Sequence, residues 1–163
     1  MVKQYLLASL LGFLILVPTT TLADCDCPGL REVVGEYTTV EATRYRGGLT
    51  SVEEAEQHVG ESAKVFESEF SLWGEVRYEA PSYEVVCHSV PQEEGDVPTP
   101  SERWGNFYGF GADREVIEVL YVIPSKDKSP RYVFEIVGDE LWAFLDGWFY
   151  RMKREPQIDG GAS

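Results

Sequence analysis

Residues 131–154 narrow what this chain can fold into more than any other stretch. They read as three short strands joined by two tight turns. The first is Arg131–Val137, with Tyr132, Phe134 and Ile136 on one face. Gly138-Asp139 turns the chain into Glu140–Leu145, where Leu141, Ala143 and Leu145 alternate with Trp142 and Phe144. Asp146-Gly147 turns it again into Trp148–Lys153, with Trp148, Tyr150 and Met152 opposite Phe149, Arg151 and Lys153. Asp-Gly suits a two-residue hairpin loop because both central residues must accept positive φ. Side chains on a strand alternate between faces, so this meander presents a wide aromatic surface that the rest of the chain must cover.

The preceding residues offer that cover. Val34–Arg46 reads as a long strand without a strongly apolar face, suited to an edge or to the lining of a polar cavity. Gly47-Gly48 ends it. A short helix follows: Thr50 and Ser51 are N-cap candidates, with Glu53 and Glu54 three residues on, the capping-box spacing. Val52, Ala55 and Val59 form its narrow apolar stripe, Glu53, Glu54 and Glu56 its acidic side, and Gly60 its stop. Ser62–Leu72 reads as one strand with a bend at Gly74 beyond it, Val76–Glu79 as a local partner, and Tyr83–Val90 as another strand. Residues 91–103 hold three prolines and the acidic run Glu93-Glu94-Gly95-Asp96, and read as a loop. Glu115–Ile123 alternates two apolar faces and is the most buried-looking strand.

The expected fold is therefore mainly β: a single antiparallel β-barrel, or a strongly curled sheet, of seven to eight strands with one short helix. A barrel of about eight strands is filled by its side chains or holds one small ligand. Residues 24–34 are a leader, 35–154 the β domain and 155–163 a frayed tail.

Residues 1–23 read as an address. Lys3 precedes an apolar run, Tyr5–Val17, that is shorter than the roughly 20 residues a membrane span needs. Thr21-Leu22-Ala23 then fits a small-x-small cleavage site, so a secretory signal peptide and an exported, periplasmic or secreted protein are expected. No transmembrane segment is expected after its removal. Cys25 stands where a lipidated cysteine would, though behind Asp24, which makes lipid anchoring the minor variant.

Export gives the cysteines meaning. Cys25, Cys27 and Cys87 follow the signal, and an oxidising compartment favours a disulfide. Cys25 and Cys27 are too close for an easy mutual bridge, so one of them is expected to reach Cys87. Cys25-x-Cys27 with Cys87-His88 could also offer sulfur and imidazole to zinc or copper(I), but Cys87 and His88 point apart on a strand, and no metal or other cofactor is expected.

Lys3 is the one charged residue of 1–23, so the chain's formal charge of −14 becomes −15 for residues 24–163. Such a field repels nucleic acid and anionic membrane and favours basic partners. There is no Gly-x-Ser-x-Gly, His-Glu-x-x-His or Gly-x-Gly-x-x-Gly, and Gly105–Gly111 lacks the Lys-Ser/Thr of a phosphate loop. With 28 acidic residues, no carboxylate pair stands out as an acid–base pair. No catalytic residue is expected.

Gly35 leading a strand, Gly48-Leu49-Thr50-Ser51 entering a helix with Glu54-Ala55 and Gly60, Pro81-x-Tyr83, and the closing Asp146-Gly147-Trp148-Phe149-Tyr150-x-Met152-x-Arg154 make a pattern. It resembles that of a broad group of small secreted bacterial proteins with a lipocalin-like barrel and no settled activity. The resemblance implies a fold more than a function.

Two binding readings follow. In the first, the barrel holds a small apolar ligand against Trp104, Phe107, Tyr108 and Phe110. In the second, the chain is an acidic inhibitor or immunity-type module for a basic secreted enzyme such as a lysozyme, with Glu93, Glu94 and Asp96 in contact.

Overall fold

A computed structural model of the chain describes residues 27–89, 108–110, 114, 116–125 and 129–156. After a helical turn, α1 (Leu30–Val33), comes β1 (Gly35–Arg44) and then α2 (Val52–Gln57). Four strands follow: β2 (Ser62–Phe66), β3 (Glu69–Leu72), β4 (Val76–Glu79) and β5 (Ser82–Ser89). The last four are β6 (Val116–Ile123), β7 (Tyr132–Val137), β8 (Glu140–Leu145) and β9 (Trp148–Arg154).

The nine strands of the described residues form one antiparallel sheet in the order β4-β3-β2-β1-β9-β8-β7-β6-β5. The expected count of seven to eight is thus one short. The reason is local: the stretch read as a single strand over 62–72 breaks at Glu67-Ser68, and its halves pair as a hairpin, Phe66 opposite Glu69. β1 is no edge. It lies between β2 and β9, and its buried Tyr37 and Thr39 keep their polar atoms paired. The Tyr37 hydroxyl donates to Val33 O at 2.6 Å, and Thr39 Oγ1 accepts from Trp73 Nε1 at 3.0 Å.

The sheet curls into a half-barrel. Its two edge strands, β4 and β5, are joined by Ala80-Pro81 alone. Across the interior, Phe70 of β3 meets Phe134 and Tyr132 of β7 at ring separations of 5.9 and 5.7 Å. Tyr78 and Tyr83 close the corner, their hydroxyls donating to Pro130 O at 2.8 Å and Phe66 O at 2.9 Å. The concave side is filled by Tyr37, Val65, Phe70, Leu120, Phe134, Leu141, Tyr150 and Met152, all essentially without solvent contact. A bulge between Thr39 and Glu41 shifts the register of β1 against β9 and leaves Val40 on the surface.

The convex side of β6–β9 is buried as well. Ile117, Val119, Glu135, Phe144 and Phe149 are covered there although they stand apart from the concave core. Tyr108, Phe110 and Arg114 lie over them. Phe110 stacks on Phe149 at 4.3 Å, Tyr108 meets Tyr45 at 4.4 Å, and Arg114 pairs with buried Glu135 at 2.5 Å while lying 5.1 Å from the Trp142 ring.

Cys27 and Cys87 form a disulfide, tying the residues before α1 to β5. Within the leader, α1 forms because Gly29 N–H is capped by Glu32 Oε1 at 3.1 Å and Val33 reaches the core. No helix of the described residues is long and apolar enough to cross a membrane.

Candidate partner-binding corner

The convex turn between β8 and β9 organises a surface corner around α2. Asp146 and Gly147 both have positive φ, 42° and 87°, as a tight hairpin turn requires. Tyr45 and Arg46 donate their N–H groups to Gly147 O at 3.0 and 3.3 Å, which lays residues 45–50 across the turn. The approach is so close that a Cβ on Gly48 would sit 1.8 Å from Asp146 O. Only glycine fits there.

One carboxylate oxygen then fixes the loop. Asp146 Oδ2 accepts from Leu49 N–H at 2.8 Å, Thr50 N–H at 2.6 Å and the Thr50 hydroxyl at 2.7 Å. Trp148 Nε1 donates to Thr50 O at 3.1 Å. These bonds, the Thr50 hydroxyl first, hold the Asp146 carboxyl below its ordinary range. Leu49 is held in this clamp with its side chain 97% exposed.

α2 leaves the clamp through a capping box. Ser51 Oγ accepts from Glu54 N–H at 3.2 Å, and Glu54 Oε2 accepts from Ser51 N–H at 2.9 Å. The Ser51 N–H bond first, and then the Ser51 side chain, depress the Glu54 carboxyl. The helix is six residues long, and of the expected apolar stripe only Ala55 is buried; Val52 and Val59 are 42% and 45% exposed. One and a half turns cannot carry all three side chains onto the sheet.

His58, at the C-cap, fastens the helix down. Its ring stacks on Trp73 at 3.7 Å, meets Tyr150 edge-on at 5.8 Å, and its Nδ1 lies 2.8 Å from Glu61 Oε2. Trp73 has φ +54°, an unusual conformation for a bulky residue, and its indole reaches Thr39. Burial, then the carboxylates of Asp146, Glu54 and Glu75, push the Tyr150 hydroxyl up to about 12. Leu49, Thr50, Glu54, Gln57, His58 and Glu75 line an open cleft of about 450 Å³. A second, of about 490 Å³, lies at the β4–β5 corner against Arg77, Tyr78 and Ser125. A third, of about 370 Å³, is lined by Cys27, Glu32 and Glu118; there burial and the Glu32 charge raise the Glu118 carboxyl.

The residues singled out by sequence are dispersed. Tyr108 and Phe110 lie on the convex face as part of its cover, not in the concave interior. Cys27 and Cys87 are joined. Trp104, Phe107, Glu93, Glu94, Asp96 and Cys25 lie outside the described residues. Among the described residues, no three His, Cys, Asp or Glu side chains converge as a metal site. The Leu49 corner escaped sequence reasoning, although Gly47-Gly48 and Asp146-Gly147 were both visible as turns. The signal available was two glycines consecutive in the chain where a strand terminator needs only one.

No family model, no curated protein and no solved structure matches this chain.

Proposed function

We propose that the protein is an exported, acidic, non-enzymatic binding module whose target is a basic secreted protein such as a lysozyme. The carrying observation is where exposed apolar side chains occur. Among the described residues the large ones are Val40, Leu49, Val52 and Val59, all within one short stretch of chain. From 40 to 61 that stretch contains Glu41, Glu53, Glu54, Glu56 and Glu61 against Arg44 and Arg46. Apolar contacts inside a predominantly acidic rim describe a protein-docking patch, with the charge steering encounter and the apolar groups holding the complex.

The test is binding to a panel of basic secreted enzymes, lysozyme and a ribonuclease among them, with an acidic protein as control. Association with one of the basic enzymes is expected to slow steeply as salt rises. Salt-independent binding, or no binding to any of them at low salt, overturns the reading.

The small-ligand reading rests on a separate observation, the aromatic layer of Phe110, Phe144 and Phe149 on the convex face. Native mass spectrometry of protein purified from its own envelope is expected to show an added small-molecule mass under that reading. A bare chain would leave it without support.

A further inference from the structure

We infer that Leu49 is the anchor of that docking patch, and that the partner presents an apolar pocket flanked by Lys or Arg. The inference rests on the proposed function and specifies its contact.

A leucine with 97% of its surface in water is an unfavourable thing to hold still, yet this one is held. Its own N–H and both donors of Thr50 converge on Asp146 Oδ2, and Trp148 Nε1 fixes the Thr50 carbonyl. Gly48 lies against the backbone of the same turn, closer than any residue with a Cβ could. A loop ordered in advance loses little freedom on association, and rigid presentation of an apolar side chain is how such loops gain affinity.

The surroundings specify the partner's chemistry. Glu54, and Glu75 from the β3–β4 turn, share the cleft at the foot of Leu49 with Thr50, Gln57 and His58. Arg46, 5.5 Å from the Tyr45 ring, helps to hold the Asp146 carboxyl down but does not line this cleft. An apolar knob beside carboxylates is complementary to an apolar hole beside cations. An acidic or purely apolar partner surface would leave Glu54 or Glu75 facing like charge or desolvated without a counter-ion.

The experiment has two arms. In the first, amide hydrogen exchange is followed at Leu49 and Thr50 in the free protein. Protection is expected in the wild type and is expected to fall at least about tenfold in Asp146→Asn, which keeps a side chain tolerant of positive φ. Free-peptide exchange at Leu49 in the wild type overturns the claim of a preset anchor. In the second, binding kinetics are measured with lysozyme as the probe. Leu49→Ser is expected to weaken binding about 10- to 100-fold, mainly by faster dissociation. Glu54→Gln, which retains the capping box, with Glu75→Gln is expected to slow association and flatten its salt dependence. Binding that persists unchanged in Leu49→Ser but weakens in the Glu variants overturns the anchor and leaves the proposed function standing. Absence of wild-type binding at low salt removes both.

Discussion

Leu49 and Asp146 are 97 residues apart in sequence and 2.8 Å apart at the Leu49 amide and Asp146 Oδ2. The pairing couples the loop after β1 to the turn before β9, strands that are themselves neighbours in the sheet. An exposed apolar side chain thus inherits the rigidity of the sheet beneath it.

Gly48 is the position at which this coupling is most easily broken. Added bulk there meets backbone, which cannot swing away as a flexible side chain would. Gly48→Ala is expected to destabilise the fold by about 1–3 kcal/mol, the usual cost of overpacking. It should also increase exchange at the Leu49 and Thr50 amides. Gly47→Ala, where a Cβ meets nothing within 4 Å, is the control and should leave both unchanged. Thermal unfolding of the pair checks the contrast.

Acid should loosen the same corner before it affects the core. Asp146 and Glu54 have carboxyls depressed below their ordinary values of 3.8 and 4.5, because their ionised forms accept hydrogen bonds from Thr50 and Ser51. A depressed carboxyl stabilises the fold above its unfolded-state value, and that contribution disappears as the pH falls through the folded-state value. Protection at Leu49 and Thr50 is therefore expected to hold at neutral pH and to decline below about pH 4. Amides of β6 and β7 should keep theirs there. In Asp146→Asn the pH dependence at Leu49 and Thr50 should be smaller, with only the Glu54 contribution left. Equal intrinsic-rate-corrected protection of the wild-type amides at about pH 3 and pH 6 would count against this account.

What was legible in the sequence was what local pattern dictates. The meander of β7, β8 and β9 matches its expected bounds to within a residue, because period-two alternation and Asp-Gly both act over a few residues. The start of α2 was legible from Ser51 and Glu54 for the same reason. The β2–β3 hairpin was not, since Glu67-Ser68 carries neither glycine nor proline and its turn is set by pairing with β1 and β4. The candidate corner was illegible because nothing local makes Leu49 exposed. Its environment depends on Asp146, far along the chain, and a leucine after two glycines reads equally well as core. The rings at 108 and 110 read in sequence as a wall for a ligand inside the barrel, because which side of β9 they reach is not set by local pattern.

The disulfide provides a prediction that separates two neighbouring cysteines. Cys27 pairs with Cys87 across a sequence separation of 60, with Cα atoms 5.8 Å apart. In the chain-entropy model such a loop stabilises by about 4 kcal/mol. Cys27→Ser is expected to lower the unfolding midpoint substantially, and Cys25→Ser to leave it near the wild-type value. Peptide mapping without reduction should recover the Cys27 and Cys87 peptides joined. Equal loss in the two variants would mean that Cys25 can take over the bridge.

The convex face gives the sharpest contrast between covering and binding. Phe110 stacks on Phe149, and Arg114 holds buried Glu135, so these two residues help to cover the outer side of β7, β8 and β9. Phe110→Ser is expected to cost about 1–2 kcal/mol, below the full-burial range for a large apolar side chain because Phe110 is half-buried. Glu135→Ala is expected to cost more, about 3–5 kcal/mol, because it leaves the largely buried Arg114 guanidinium without that carboxylate. Both variants should expose aromatic surface and bind a hydrophobic dye in urea concentrations that leave the wild type dark. The two losses should fall short of additive in the double variant, since Phe110 and Arg114 cover neighbouring parts of one face. If Phe110 served chiefly to hold a ligand, Phe110→Ser would keep wild-type stability and lose only ligand capture. Urea unfolding of the single and double variants therefore distinguishes a structural cover from a binding surface.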